Sequence, residues 1–280
     1  RAIPIDLHHC PSVRKPGKGG ELKDWELYRE TQKKSELSVI GAERINLLRE
    51  NLDQDGSSDK KLVVSVDGSY TNEAVLKKLP ANTALIGRIR KDASLNLLPV
   101  PDPEGKGRKK VYGEALPTPE QIRQSEEYSW QTVQAWAAGK VHDFQLKVIQ
   151  TVRWRKAGKK DLKLLIIRPV AYRPIKNSRL LYREPAYLIC TDPAMDLATL
   201  LQAYLWRWEI EVNFKDEKTI RGCGQAQVRT KEACTKASSF VAATYSLLML
   251  ASHTAKNQFL PRPKWYKIQK SVRVTTGDIL

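Results

Sequence analysis

Residues Lys61–Ile89 read KLVVSVDGSYTNEAVLKKLPANTALIGRI, and this stretch predicts the fold class. The run Lys61–Asp67 carries β-forming side chains on both faces, which is typical of a central strand buried between helices. A helix is predicted over Asn72–Leu79 and a second strand over Thr83–Ile89. This strand–helix–strand order predicts an α/β layer. Asp67 stands at the C-terminal end of the first strand, where sites form in open α/β sheets.

The stretch Asp196–Arg221, DLATLLQAYLWRWEIEVNFKDEKTIR, predicts one long helix, since no Gly or Pro interrupts it. Asp196 suits the N-cap, and Gly222 and Gly224 follow where a helix would end. With successive residues about 100° apart, one face about 60° wide collects four side chains of mixed type. These four residues are Tyr204, Arg207, Glu211 and Lys218. One carboxylate among cations and a phenol favours a face that meets a metal ion and a phosphate chain. A solvated face with charge pairs is the alternative.

The charge balance points to a polyanionic partner. The 280 residues include 48 Lys and Arg against 31 Asp and Glu, a formal charge of +17. Nucleic acid is the simplest such partner, because bound cations displace its condensed counterions, and an anionic membrane is the competing one. The uncharged run Ala237–Ala255 is just long enough to span a bilayer, but its Ser residues and His253 favour a core helix. The four cysteines form no Cys-x-x-Cys pair, which indicates buried or incidental thiols of a reducing cytoplasm.

The first residues predict a strand over Ala2–Leu7 and a helical pattern from Leu22 to about Asn51. No signal peptide is expected, because the chain opens directly into sequence of folded character. Without an initiator Met, we expect the chain to begin partway through a longer protein.

A β-rich basic segment follows the α/β stretch. Between Arg88 and Glu184 there are 21 Lys and Arg against 10 Asp and Glu, and the difference of 11 is most of the net charge. Strands are predicted over Trp130–Trp136, Phe144–Trp154 and Leu162–Pro169, and a further strand over Pro185–Cys190. The interleaved Trp and Arg side chains suit phosphate contacts and base stacking, although buried Trp anchors in a polar β surface are the simpler interpretation.

The spacing Tyr204-x2-Arg207-x3-Glu211-x6-Lys218 resembles the Y-R-E-K signature of bacterial insertion-sequence transposases of the DDE class. The strand that ends in Val66-Asp67-Gly68-Ser69-Tyr70 is similar to the strand that bears the family's second acidic residue. A β-rich insertion separates the two acids in that group, and 144 residues separate Asp67 from Glu211 here (211 − 67). The resemblance covers roughly Ala2–Ala255.

The resemblance implies a ribonuclease-H-like α/β fold, a mixed sheet flanked by helices and interrupted by the β-rich insertion. It implies four segments: a first part of the catalytic core over 1–89, a basic insertion over 90–184, a second part of the core over 185–256, and a basic tail over 257–280. The family's first Asp has no clear counterpart. Asp6 is the only aspartate on an early predicted strand, and a strand-edge charge is the better interpretation of it, so we expect the first Asp upstream of Arg1.

The implied activity is metal-dependent cleavage and strand transfer of DNA at transposon ends, as in cut-and-paste transposition. By resemblance, Asp67 and Glu211 are catalytic metal ligands for two Mg²⁺ or Mn²⁺ ions, since Mg²⁺ prefers oxygen ligands and paired ions suit phosphodiester chemistry. Tyr204, Arg207 and Lys218 are implied to bind the DNA backbone. Trp130, Trp136 and Trp154 are unranked candidates for stacking on a displaced base.

The implied partners are double-stranded DNA, as transposon ends and target, and a second copy of the protein in a synaptic homodimer. A bacterial cytoplasmic protein associated with the nucleoid is expected. Three other functions remain open: a decayed or repurposed transposase that only binds DNA, a related nuclease that cleaves but never joins ends, and a basic α/β protein that binds RNA.

Overall fold

The computed structural model describes residues 2–101, 108–173 and 177–254. The chain divides into two compact units. One unit, called the sheet unit below, comprises Ser12–Leu205; the other, called the helical unit, comprises Arg1–Pro11 and Trp206–Leu280. The tail predicted over 257–280 lies outside the described residues.

The chain is a mixed α/β protein built on a six-stranded sheet. The helices are α1 Leu22–Lys34, α2 Leu37–Gln54, α3 Glu73–Leu76, α4 Pro119–Gln124, α5 Leu197–Trp206, α6 Glu209–Thr219 and α7 Lys231–Thr254, with a 3-10 turn at Arg155–Ala157. The strands are β1 Leu62–Val66, β2 Thr83–Arg88, β3 Gln131–Ala137, β4 Lys140–Arg153, β5 Asp161–Ile167, β6 Ala171–Tyr172, β7 Leu181–Tyr182 and β8 Ala186–Cys190. The sheet order is β1-β2-β8-β5-β4-β3, while β6 and β7 form a separate ribbon. Only β1 and β2 pair in parallel; the other neighbours in the sheet are antiparallel.

Side chains alternate between the two faces of the sheet and pack into two hydrophobic clusters. On β8, Tyr187 and Ile189 join one cluster, while Leu188 and Cys190 join the other. Successive side chains of a strand point to opposite faces, so β2, β5 and β8 are buried on both. Helices α2, α3 and α4 pack into the first cluster and α5 into the second. The strands predicted from the basic segment therefore continue the same sheet as β1 and β2.

Strand β1 lies at an edge of the sheet, so the prediction of a central strand over Lys61–Asp67 is wrong for the described chain. Its residues are half-buried, and Val63 is 38% exposed. The central positions belong to β8 and β5, which the sequence supplies more than 90 residues later. A run of β-branched residues fits an edge strand as well as a central one, because pairing partners and not composition decide the place of a strand.

Two predicted helices are each interrupted. The pattern from Leu22 to Asn51 forms α1 and α2, with Ser35 as the C-cap of the first. The long helix predicted over Asp196–Arg221 forms α5 and α6, with Arg207 and Trp208 in a turn between them. No Gly or Pro marks this second break; it falls where the chain passes from the sheet unit into the helical unit.

The predicted strand over Ala2–Leu7 is absent, and these residues form an extended segment without strand pairing. Side chains of α6 and α7 donate hydrogen bonds to its backbone carbonyls instead. Asn213 Nδ2 donates to the Ala2 carbonyl at 3.1 Å, and Ser246 Oγ donates to the carbonyl of Pro4. The segment therefore belongs to the helical unit, and not to the sheet.

Helix α7 covers almost all of the uncharged run Ala237–Ala255, so the helix is confirmed. Its predicted core position is wrong for most of its surface, because only Ala242 and Tyr245 are buried and Phe240 is 73% exposed. No helix within the described ranges combines the length and the hydrophobicity needed to cross a bilayer.

Candidate functional site

Asp67 directly follows β1, as predicted, and opens a tightly hydrogen-bonded turn. Its Oδ1 accepts bonds from the backbone N–H of Ser69, at 2.7 Å, and from the Ser69 hydroxyl. The Thr71 hydroxyl donates to the Asp67 carbonyl at 2.9 Å, and Asn72 Oδ1 caps α3 at the Val75 N–H. A side chain that accepts from its own turn in this way has few rotamers left, so the exposed carboxylate is held in place.

Two glycines allow neighbouring elements to pack closely against this turn. A Cβ on Gly41, in the middle of α2, would lie 2.7 Å from the ring of Tyr70. A Cβ on Gly87, in β2, would lie 2.2 Å from Thr71 Oγ1. Real Cβ atoms do not approach other atoms so closely, and glycine inside a helix or strand is otherwise unfavourable. The two glycines therefore fix the turn against α2 on one side and β2 on the other.

The parallel pairing of β1 and β2 places the end of β2 beside Asp67. Val66 pairs with Gly87, so Asp67 leaves the sheet beside Arg88, the last residue of β2, which itself pairs with Leu188 of β8. Residues that follow parallel strands converge at the carboxyl edge of a sheet, which is where ligands bind in such folds. An exposed carboxylate and an exposed guanidinium thus lie at the same edge.

The four residues of the predicted helix face are divided between the two units. Tyr204 lies on α5 in the sheet unit and packs, half-buried, against the second hydrophobic cluster. Arg207, Glu211 and Lys218 lie in the helical unit. Arg207 Nη2 and Glu211 Oε1 are 3.3 Å apart, a partly exposed ion pair. Lys218 is exposed in the last turn of α6, seven residues and about two helical turns after Glu211.

A buried polar pair anchors α6 to α7. Tyr245, 1% exposed, donates its hydroxyl proton to Asn213 Oδ1 at 3.1 Å, while Asn213 Nδ2 donates to the Ala2 carbonyl. Asn213 therefore uses both ends of its amide inside the unit. Because Asn213 follows Glu211 by two residues, this pair fixes the helix that carries the predicted metal ligand.

Glu217, one turn further along α6, is buried and meets few compensating charges. Burial raises the pKa of its carboxyl, and the nearby Arg221 opposes the shift. The Arg221 guanidinium in turn lies 5.9 Å from the ring centroid of Tyr245. The C-terminal end of α6 and the residues just after it thus include partly desolvated charged groups.

The structure separates the three tryptophans that were proposed to stack on a base. Trp154 is 7% exposed and lies under Lys156, and Trp130 is half-buried between Lys147 and Arg168. Trp136 is 36% exposed, while Gln202 exchanges two hydrogen bonds with its backbone. Trp154 and Trp130 therefore match buried anchors, and Trp136 has the most accessible ring of the three.

The predicted metal ligands belong to different units, Asp67 to the sheet unit and Glu211 to the helical unit. Both are exposed carboxylates, which are hard oxygen donors of the kind that Mg²⁺ prefers. Asp6 lies in the extended first segment and not at a strand end. Within residues 2–101, 108–173 and 177–254, no group of three or more His, Cys, Asp or Glu is arranged to hold a metal ion. Asp67 and Glu211 fit the chemistry of the implied ions, and their joint use of a metal stays a prediction.

A large basic cleft in the sheet unit is the feature that sequence reasoning missed. It has a volume of about 1110 Å³, and Gly68, the residue after Asp67, is one of its lining residues. Its charged lining residues are Arg88, Arg90, Lys91, Asp92, Glu120, Arg123, Arg155, Lys156 and Glu184. The excess of positive charge over Arg88–Glu184 indicated a basic surface, but no local pattern places these distant segments around one cavity.

A polar network braces the cleft. Glu120 accepts from Arg123 at 2.6 and 2.9 Å and from the Tyr187 hydroxyl. These bonds, that to Arg123 above all, lower the pKa of Glu120 to about 2. Burial and the bond to Glu120 raise the pKa of Tyr187 to about 12. The network therefore holds one anion and one neutral phenol at neutral pH.

A scan of the chain against protein-family models gives no match, and neither does a search of curated proteins.

Proposed function

We propose that this chain is the catalytic part of a DDE-class DNA transposase, with a ribonuclease-H-like core, that cleaves and joins DNA at transposon ends. The spacing of Tyr204, Arg207, Glu211 and Lys218 carries the proposal. Four residues of three chemical types at one fixed spacing are a more specific indication of function than basic composition, because basic composition is expected of any nucleic-acid-binding protein.

The geometry around Asp67 supports the proposal. The carboxylate leaves the carboxyl edge of two parallel strands and is held by its own turn. Phosphoryl transfer depends mainly on positioned charges, since the protein contributes little covalent chemistry of its own. A fixed carboxylate at that edge is therefore suited to holding a cation beside a phosphodiester.

Asp67 and Glu211 would hold the divalent ions. Mg²⁺ or Mn²⁺ bound by them would activate the attacking oxygen and stabilise the leaving oxygen. In the free protein Glu211 is paired with Arg207, and metal would compete with the guanidinium for the carboxylate. Arg207, once released, would be available to a phosphate, to which guanidinium binds in a bidentate manner.

Tyr204, in the sheet unit, and Lys218, in the helical unit, would contribute further DNA contacts. Lys218 offers a point charge to the backbone, and the phenol of Tyr204 offers a neutral donor. By the same proposal, the protein acts on duplex DNA as a homodimer that holds two transposon ends, in a bacterial cytoplasm.

Cleavage by variants of the full-length protein tests the proposal. The substrate is duplex DNA that contains the regions flanking the coding sequence in its own genome, with Mg²⁺ or Mn²⁺ supplied. Asp67→Asn and Glu211→Gln should each reduce cut and joined ends more than about a hundredfold, since second-shell partners of metal ligands alone are worth about 10–100-fold. DNA binding in gel-shift experiments should change little, because neither carboxylate neutralises a phosphate.

Asp59→Asn and Glu232→Gln are the matched controls. Asp59 is an exposed acid before the start of β1, and Glu232 is an exposed acid in the first turn of α7. Both variants should cleave as the unaltered protein does. Normal cleavage by Asp67→Asn or Glu211→Gln would contradict the site, and gel shifts without cut ends from the unaltered protein would indicate a protein that only binds DNA.

A further inference from the structure

The basic cleft of the sheet unit is assembled from two cationic segments. The first, Arg88–Lys91, comprises the last residue of β2 and the three residues after it; the second, Arg155 and Lys156, lies in the 3-10 turn after β4. Asn96 and Arg153 join them by a reciprocal pair of backbone hydrogen bonds of 2.9 and 2.8 Å. The two segments are thus fixed relative to each other by the backbone, and not by flexible side chains.

The net charge of the cleft comes from four of its cations. Arg90 is paired with Asp92 at 2.7 Å, and Arg123 is paired with Glu120 at 2.6 Å. Within the described ranges, no carboxylate lies at ion-pair distance from the other four, which are Arg88, Lys91, Arg155 and Lys156. Glu184 is the one further acid among the lining residues. The cleft therefore carries an uncompensated positive charge next to the turn of Asp67.

Aromatic rings orient the second segment without neutralising it. The Arg155 guanidinium lies 5.7 Å from the centroid of Tyr112, and Lys156 Nζ lies 5.1 Å from the centroid of Trp154. A cation over a ring keeps its full charge and its outward N–H donors. The buried side chains of Ile89, Trp154 and Tyr187 also line the cleft.

The size of the cleft selects a single strand. The cleft has a volume of about 1110 Å³, close to the roughly 300–1,000 Å³ of pockets that enclose one small molecule. This space holds a few nucleotides of one strand, whereas the two paired strands of a duplex need more. One phosphodiester strand does fit, and its phosphates suit cations fixed along both segments.

We infer that this cleft binds single-stranded DNA, with Arg88 and Lys91 on one segment and Arg155 and Lys156 on the other contacting its phosphates. The choice of DNA rests on the proposed function, whereas the existence of the cleft, its charge and its volume do not. Gly68 lines the cleft and directly follows Asp67, so a strand bound there would pass near the predicted metal ligand.

The test measures binding in EDTA, so that it does not depend on the metal-dependent reaction. The probe is a fluorescent oligothymidylate of about 12 nucleotides, within the about 4–16 that a single-strand-binding fold covers. We expect the double variant Arg155→Glu/Lys156→Glu to bind it at least about ten-fold more weakly. The slope of log K against log salt should fall in magnitude by about 1.4, since each lost single-strand contact removes about 0.7.

Lys33→Glu/Lys34→Glu is the matched control, because it makes the same change of net charge on the exposed last turn of α1. Lys91→Glu is a second test variant on the other segment, so that misfolding of the 3-10 turn cannot account for the result. Circular dichroism melting of all three should match the unaltered protein.

Two results would overturn the inference. Binding by the double variant and by Lys91→Glu that equals the control would exclude the cleft as the site. A duplex of equal length that binds as tightly as the single strand, with the same loss in the variants, would make the cleft part of a duplex surface. Either result would leave the cleavage test of Asp67 and Glu211 unaffected.

Discussion

A half-buried glutamate of the sheet unit and a buried glutamate of the helical unit have pKa values shifted in opposite directions. In the sheet unit, Glu120 accepts from Arg123 and Tyr187, and these bonds lower its pKa to about 2. In the helical unit, Glu217 is desolvated with only Arg221 nearby, and burial raises its pKa. The first carboxylate is stabilised as an anion by charge-assisted bonds, whereas the second loses more hydration than its surroundings return. Acid should therefore lower the free energy of unfolding through Glu120 and raise it through Glu217.

The two buried tyrosines also differ in whether the group that accepts their hydroxyl proton is charged. Tyr187 donates to a carboxylate, while Tyr245 donates to the amide oxygen of Asn213. Both phenols are buried, at 4% and 1% exposure. Hydrogen bonds to a charged group contribute about twice as much as neutral ones, so the network that braces the cleft should resist disruption more strongly than the pair that anchors α6.

Acid should weaken the sheet unit through Glu120. Its folded pKa of about 2 lies below the ordinary glutamate pKa of 4.5, so the unfolded chain binds the proton first as the pH falls. The contribution is complete above about pH 4.5 and is lost as the pH falls to about 2, a change of about 3 kcal/mol in the free energy of unfolding. Urea unfolding followed through hydrogen exchange of peptides from 12–205 measures it. Glu120→Gln should remove this dependence, and Glu127→Gln, an exposed acid nearby, should keep it.

A matched pair of Tyr→Phe variants should separate the two kinds of bond. Tyr187→Phe removes a donor to a carboxylate and should lower the free energy of unfolding by about 1.5–3 kcal/mol. Tyr245→Phe removes a donor to an amide and should cost about 0.5–1.5 kcal/mol. Hydrogen exchange protection, measured separately for peptides of each unit, checks the order. Equal losses, or a larger loss for Tyr245→Phe, would show that charge does not distinguish the two networks.

Glu217→Gln should have the smallest effect and the opposite sign to Glu120→Gln. Because the folded pKa of Glu217 is raised, its contribution is present below the unfolded pKa and is lost as the pH rises through the folded value. At neutral pH the neutral amide should therefore stabilise the helical unit by about 0.5–1 kcal/mol, and the gain should vanish in acid. Chemical unfolding at neutral and acid pH checks the change, with Glu232→Gln as the control. A loss of stability at neutral pH would contradict the desolvation argument.

Local patterns predicted much of the fold correctly because they act over a few residues. The cap by Asp196 forms as expected, with a 3.0 Å bond from the Thr199 N–H, and Gly222 adopts a positive φ of 67° after α6. The strand before Asp67 and the strands over 131–137 and 161–167 lie where alternation and β-branching predicted them.

The predictions were wrong where contacts between distant segments of the chain determine the structure. The turn at Arg207 and Trp208 carries no breaking residue; Glu211 N–H bonds to the Trp208 carbonyl three residues back, and the chain changes unit at that point. A continuous helix would place Tyr204 on one face with the other three residues, but this turn interrupts it. The candidate site was thus predicted by residue type and spacing, while its division between two units was not.

The sequence by itself determined which residues are candidates for a functional site: Asp67 after a β-branched run, the spacing that ends at Lys218, and the basic excess between Arg88 and Glu184. Only the tertiary structure decided that β1 is an edge strand, that Glu120 meets Tyr187 from 67 residues away, and that Asn213 meets Ala2 from 211 residues away. Periodicity and capping depend on neighbours in the chain, and the sequence records them directly. Strand order, clefts and buried polar pairs depend on which distant segments pack together. That packing is determined by the whole chain and not by any local stretch of it.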